Sequence, residues 1–258
     1  MANRVAAGRR PRTLAIDVGG SGLKALVLDA TGKPVTDRLR VLTSYPCPPD
    51  RLIADLVKLV QPLEPYERVS VGFPGVVRAG RVLTAPNLSR RAGPGSEVDP
   101  DVQAAWHGFD LAGVLNKKLH RPVRAANDAD MQGADVVSGE GVELVLTLGT
   151  GLGSTVYADG RLAVHLELAH HPFRDGKTYE DELGEIGREK AGNKKWTRRV
   201  VEAARMIDEL ITPDHIFIGG GNSKHLKTDF ADEPTLRGKV TIVDNTAGLL
   251  GGIKLWKR

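Results

Sequence analysis

Short apolar runs that end in glycine alternate along this chain with longer segments whose apolar residues recur at helical spacing. Thr13-Leu14-Ala15-Ile16-Asp17 is such a run and predicts a buried strand. Residues 24–29 predict a second strand, closed by the turn signal Asp29-Ala30-Thr31-Gly32. Leu52, Ile53, Leu56 and Val60 share one helical face and predict a helix over 49–59. Residues 69–73 read as a strand turned by Pro74-Gly75, and 76–83 as a hairpin around Arg78-Ala79-Gly80. Residues 89–108 mix Pro, Gly, Arg and Trp without a period and predict a long loop. A helix over 111–119 and a strand over 123–126 follow, then a helix opening at Asn127-Asp128-Ala129-Asp130. Strands are predicted at 144–148 and 154–157, and a polar, irregular stretch over 175–195. Val200, Ala204, Ile207 and Ile211 give a helix over 196–211, and 216–218 a strand ending in Gly219-Gly220-Gly221. A helix-like 246–256 closes the chain. Strands and helices alternate throughout, so the class is α/β.

The pattern also repeats. Gly19 falls on Gly149 and Asp29 on Asp159 at one constant offset of 130 positions. In each copy an apolar strand enters a glycine turn, a second strand leaves it, and an aspartate-glycine turn closes that strand. Two similar halves with a cleft between them are the expectation.

Composition narrows the partners. Lys and Arg number 36 against 32 Asp and Glu, a net charge of +4, mildly favouring anions and far from a nucleic-acid coat. Five Phe, four Tyr and three Trp are too few for a base-stacking platform. The single cysteine, Cys47, excludes an internal disulfide framework and a cysteine-based zinc cluster. The sequence carries neither a run of roughly 18 apolar residues that would span a membrane nor a signal-like apolar start, so a cytoplasmic protein is expected, with no membrane or nucleic-acid partner. Residues 1–12 read as a disordered basic tail.

Glycine turns admit an anion because no Cβ blocks the approach and φ > 0 is allowed. Neither copy has the Gly-x-x-x-x-Gly-Lys-Ser/Thr of a Walker loop. Each leads into β-type sequence, so neither is a dinucleotide fingerprint, which opens a helix. One ligand-free hairpin would be unremarked. Two of them, with Asp17 before one and the hydroxyls of Ser21, Thr147 and Thr150 within both, favour phosphate. Asp128 stands where a strand gives way to a helix, and the residues alone leave open whether it acts as a base or caps the helix. On their own, Glu167 and His170 read as a solvated carboxylate and an ordinary histidine.

Residues 14–24 (LAIDVGGSGLK) and 146–154 (LTLGTGLGS) resemble the two phosphate motifs of actin-like sugar kinases. With Gly72-Phe-Pro-Gly-Val-Val77, Thr84-Ala-Pro-Asn-Leu88, residues 121–130 and Ile218-Gly-Gly-Gly-Asn-Ser223 in order, the chain resembles the ROK family of sugar kinases and repressors over about 13–253. Within it the two motifs look most like the polyphosphate-dependent glucokinases.

That resemblance implies a two-lobed ribonuclease-H-like fold with duplicated lobes, 13–126 and 127–258, a central cleft, and a last helix returning to the first lobe. It implies phosphorylation of the 6-hydroxyl of glucose or a close hexose, with polyphosphate or ATP as donor, Mg²⁺ as cofactor, and a homodimer. Asp128 becomes the general base. Asn87, Asn127, Glu167 and His170 match the family's sugar ligands, with Asp128 and Gly75 beside them and Glu180 as a candidate for a later glutamate. Phosphate falls to Asp17, Gly19, Gly20, Ser21, Gly22 and Lys24 in one turn, and to Thr147, Gly149, Thr150, Gly151 and Gly153 in the other. Gly219, Gly220 and Gly221 resemble a nucleotide-side turn, and Asp17 would hold magnesium through water. Ala169 departs from the family's usual glycine. The cysteine-rich segment of many members is missing, so no zinc is expected at His165, His170 and His171. The basic run Arg188, Lys190, Lys194, Lys195, Arg198 and Arg199 reads as a solvated face, or as a track for a long anion. An ATP-dependent hexokinase or glucomannokinase and a non-catalytic sugar sensor are the alternatives. A repressor is not expected, since roughly 12 residues before the first strand are too few for a helix-turn-helix.

Overall fold

The computed structural model describes residues 11–63, 65–163, 165–228, 230–243 and 251–256. The first ten residues of the predicted basic tail and residues 246–250 of the predicted last helix lie outside these. Contacts divide the chain into two compact units: one takes the residues up to Ala125 with the C-terminal stretch from Leu255, the other Ala126–Lys254.

The first unit contains β1 (Thr13–Val18), β2 (Leu23–Leu28), β3 (Leu39–Val41), α1 (Pro49–Val60), β4 (Arg68–Phe73), β5 (Val77–Arg78), β6 (Arg81–Val82), α2 (Pro100–Trp106), α3 (Leu111–Leu119) and β7 (Val123–Asn127). Its main sheet has the order β3-β2-β1-β4-β7, with β1 antiparallel to β2 and parallel to β4. Helix α1 opens with Pro49 in its first turn and carries Asp50 near the start and Lys58 near the end, charges that suit its dipole. Its Leu52 and Leu56 join Leu14, Ile16, Val69 and Val71 in one core. Trp106 is buried there against Phe73 at 5.1 Å, and its indole N–H is satisfied by the Cys47 carbonyl. Near the C-terminus Trp256 lies between the guanidinium groups of Arg68 and Arg124 and donates to Ser70 Oγ.

The second unit contains α4 (Asp128–Val136), β8 (Val142–Leu148), β9 (Leu152–Ala158), β10 (Arg161–Leu162), β11 (Pro172–Arg174), β12 (Lys177–Thr178), α5 (Tyr179–Leu183), α6 (Glu185–Ala191), α7 (Asn193–Ile211), β13 (His215–Gly219) and β14 (Val240–Ile242). Its sheet order, β10-β9-β8-β13-β14, repeats the first: β8 is antiparallel to β9 and parallel to β13. Trp196, Val200, Ala204 and Ile207 of α7 pack with Leu144, Leu146, Ile216 and Ile218. Trp196 again spends its N–H on a carbonyl, that of Leu183.

Several expectations change. The 89–108 segment is not all loop: Asp99 accepts from the Asp101 and Val102 amides, Pro100 takes the first turn, and Val102 and Trp106 bury one face of α2. The 175–195 stretch is ordered as β12, α5, α6 and the start of α7, because Thr178 and Asp181 form a reciprocal capping box. Residues 251–256 form a 3₁₀ helix.

Candidate active site

The first glycine turn joins β1 to β2 through residues 19–22, Val18 facing Leu23 across the ladder. Three of its carbonyls are held. Gly19 donates to the Gly22 carbonyl (3.0 Å), Thr43 Oγ1 to that of Gly19 (2.6 Å), and the Tyr45 hydroxyl to that of Gly20 (2.6 Å). Burial pushes the Tyr45 phenol up to about 12, so it stays a donor at neutral pH. The amides of Gly20 and Ser21 meet no acceptor among the described residues, and Ser21 is exposed. Gly19, Gly20 and Gly22 do not use the positive φ that glycine allows; space decides. A Cβ on Gly19 would stand 3.0 Å from the Gly22 oxygen, and one on Gly20 3.3 Å from Asn87 Cβ.

That last distance sets Asn87 beside the turn, its side-chain amide unbonded among the described residues. A Cβ on Gly75 would overlap the Thr84 carbonyl, so only glycine lets this bend close onto the 84–87 segment. Below the turn, Asp17 and Lys24 face each other across the strands, and the Lys24 ammonium bonds Asp17 Oδ2 at 2.7 Å. Lys24 is thus paired, not merely exposed.

The second turn is one residue shorter. Gly149, Thr150 and Gly151 join β8 to β9, Leu148 facing Leu152 and Thr147 facing Gly153. The gapless repeat therefore slips by one position inside the hairpin. Here too the carbonyls are held: Gly149 donates to Gly151 (3.0 Å), Asn222 Nδ2 to Gly149 (2.9 Å), and the Glu185 amide to Thr150 (3.2 Å). Asn222 also donates to Glu185 Oε2 (2.9 Å), and bonds from Arg188 and Asn222 hold the Glu185 carboxyl below its ordinary range. The Thr150 and Gly151 amides have no acceptor among the described residues. Gly219, Gly220 and Gly221 turn against this hairpin; Gly220 has φ +90° and a Cβ there would overlap the Leu148 backbone. Close packing alone therefore accounts for that glycine.

Helix α4 lies directly on β9. A Cβ on Gly153 would stand 2.8 Å from Ala129 Cβ, and one on Gly133 3.2 Å from the Tyr157 ring. This sets the first turn of α4 beside the second glycine turn. Asn127 is its N-cap, accepting from the Ala129 (2.8 Å) and Asp130 (3.3 Å) amides. Asp128 is not the cap: it occupies the first helical position, its Oδ1 accepting from the Ala129 amide (2.8 Å), where the helix dipole favours a carboxylate.

Glu167 leads a single 3₁₀ turn, Leu168–His170, and the His170 ring is exposed with no bond among the described residues. The Glu180 carboxylate reaches the second turn, where a Cβ on Gly151 would overlap it. His165, which sequence reasoning considered only for zinc, bridges Asp130 and Glu167. Tyr45, Thr43 and Asn222 were also missed as supports of the turns; only Asn222, following three glycines, carried a local signal.

The basic run divides. Arg188 is spent on Glu185 and Asn193, and Arg199 Nε lies 2.8 Å from the buried Glu182, which Lys177 also meets at 2.9 Å. Lys190, Lys194, Lys195 and Arg198 are exposed and pair with no carboxylate among the described residues.

For magnesium, Asp17 offers one oxygen to Lys24 and leaves the other without a bond, while no metal-binding cluster of three His, Cys, Asp or Glu forms among the described residues. This donor set fits an ion held mostly by phosphate and water, not one caged by protein. Among the described residues no helix is long and apolar enough to cross a membrane.

The sequence profile of the ROK family matches residues 13–171. A polyphosphate glucokinase from Mycobacterium tuberculosis is 31% identical over 252 residues, 92% of this chain and 88% of that protein. The inorganic polyphosphate/ATP-glucomannokinase of Arthrobacter sp. strain KM superposes with a TM-score of 0.76 at 30% identity, covering 95% of this chain and 98% of the other. A ROK family glucokinase from Streptomyces griseus, solved with glucose and AMPPNP, shares the fold at a TM-score of 0.68 and 17% identity, covering 95% and 98%. The twice-used sheet order is thus that of the actin-like, ribonuclease-H-like sugar kinases, and by profile, sequence and fold together this chain belongs to the ROK family.

Proposed function

We propose that this protein transfers the terminal phosphoryl group of polyphosphate, or of ATP, to the 6-hydroxyl of glucose. The observation that carries phosphoryl transfer is the pair of turns whose carbonyls are bonded inward while the amides of Gly20, Ser21, Thr150 and Gly151 are left for an outside acceptor. Such amides suit the charge that spreads over phosphate oxygens in the transition state. The near full-length similarity to a polyphosphate glucokinase supports the donor and the sugar.

In this reading Asp128 accepts the proton of the sugar hydroxyl as its oxygen bonds phosphorus. The P–O bond to the remaining donor breaks, and the shortened polyphosphate or ADP leaves with that electron pair. Asn87, Asn127, Glu167, His170 and Glu180 orient the sugar hydroxyls, with Gly75 allowing close backbone approach. Asp17 would hold a hydrated magnesium ion, which when bound neutralises donor charge; Lys24 fixes the Asp17 carboxylate. Gly219–Gly221 would border the nucleotide when ATP is the donor. Lys194 and Lys195 stand in the first turn of α7, where the helix dipole disfavours cations; with Lys190 and Arg198 they suit a long polyanion. A cytoplasmic location and a homodimer belong to the same reading, on the resemblance alone, and light scattering checks the dimer.

A matrix of glucose and mannose against long-chain polyphosphate and ATP tests this. Glucose 6-phosphate formed with polyphosphate at low salt is the expected result. Activity with ATP alone overturns the donor, comparable use of mannose favours a glucomannokinase like the Arthrobacter enzyme, and no phosphorylation with any pair overturns the kinase in favour of a sugar sensor.

A further inference from the structure

His165 Nδ1 lies 3.1 Å from both carboxylate oxygens of Asp130, and its Nε2 lies 2.9 Å from Glu167 Oε1. Carboxylates only accept, so the ring serves both neighbours only with a proton on each nitrogen, as an imidazolium. Asp130 is 3% exposed, and a carboxylate so buried requires a counter-charge. The groups bonded to the ring are Asp130 from α4 and Glu167 on its own segment, and the Tyr157 hydroxyl of β9 donates to the Asp130 main-chain carbonyl (2.6 Å). Hydrogen bonds from the ring to Asp130 and then to Glu167 outweigh burial and push the imidazole up to about 10.

We propose that His165 is a positioning residue: anchored by Asp130, it holds the Glu167 carboxylate aimed at the sugar. The proposal rests on Glu167 being a sugar ligand. One Glu167 oxygen is fixed by the ring, and the other has no bond among the described residues, which leaves it for a hydroxyl. Because Asp130 follows Asp128 by two positions on α4, one helix sets both the proposed base and, through His165, the proposed ligand. A change at His165 should therefore act on sugar binding and spare the donor.

The test combines kinetics with ¹⁵N NMR of the His165 ring. His165→Gln should raise the sugar KM about tenfold, as the bond that aims the Glu167 ligand is lost, with polyphosphate KM and kcat within about threefold of wild type. In the wild type both ring nitrogens should stay protonated through neutral pH. Asp130→Asn should move the ring transition down toward the ordinary range near 6.5 and raise the sugar KM similarly. The sign for stability follows. A raised pKa contributes fully below about 6.5 and is lost as pH climbs to about 10, so the stability gap between wild type and His165→Gln should shrink over that window. A neutral ring at pH 7.5 overturns the proposal, as does an unchanged sugar KM in folded His165→Gln. If that variant does not fold, the NMR titration and Asp130→Asn decide. A doubly protonated ring in a wild type that phosphorylates no sugar would sink the kinase reading instead.

Discussion

The two glycine hairpins share a design and differ in their parts. In each, three of the turn's carbonyls are bonded and two of its amides meet no acceptor among the described residues. The supports are unrelated: Thr43 and Tyr45 hold the first, whereas Asn222 and the Glu185 amide hold the second. Across the strand ends, the first places the ion pair Asp17–Lys24 where the second places Thr147 and Gly153. The first hairpin keeps charge beside its turn. In the second the strand ends are uncharged, a bare Gly153 lets α4 lie on β9, and the carboxylate at the turn, Glu180, comes from α5. The backbone pattern of strand, turn and strand recurs in both, while the side chains around it differ.

Asp128→Asn breaks the comparison hardest, since neither turn supplies a base. A loss of about 10²–10⁴-fold in kcat is expected, with unchanged thermal unfolding and retained glucose binding by calorimetry. Turnover near wild type would remove Asp128 from the base role. Asp17→Asn tests the ion pair that the first hairpin carries at its strand ends. It should lower activity by about 10–100-fold and raise the magnesium requirement, whereas Thr147→Val in the second hairpin should leave that requirement alone.

Replacing Lys190, Lys194, Lys195 and Arg198 by Gln should raise the polyphosphate KM several-fold and spare kcat. Each lost contact should flatten the log–log salt dependence by roughly 0.7–0.9 if the chain behaves as other polyanions do. Arg199 is left out of the set because its loss would leave the buried Glu182 with Lys177 alone and cost stability. The smallest effect sharpens the comparison most. Gly19→Ala crowds the Gly22 oxygen and should cost about 1 kcal/mol or more, whereas Gly149→Ala meets nothing within 4 Å and should stay within about 0.5 kcal/mol. Equal melting shifts for the two would contradict the space argument.

The strands were legible where apolar runs stopped at glycine, and the long helices where one face stayed apolar over several turns. Helix α2 was not, because seven residues give too short a period; the Asp99-Pro100 start signal was there to be read. The 175–195 segment hid its order in the same way, its capping box being only Thr178 and Asp181 amid polar sequence. The candidate site residues are named from motifs and resemblance, whereas the side chains that hold them, such as Tyr45 and His165, carry no such motif.

What this sequence determines by itself is local: which stretches bury a face, where glycine leaves room, and that the pattern occurs twice, enough to point to the family. Those follow from side-chain periodicity and backbone sterics, which act between near neighbours. What the tertiary structure alone decides is pairing. That Arg199 serves Glu182, that Tyr45 holds Gly20, and that His165 stands between Asp130 and Glu167 depends on which elements the topology packs together. The energy of each contact depends on burial that no single segment encodes.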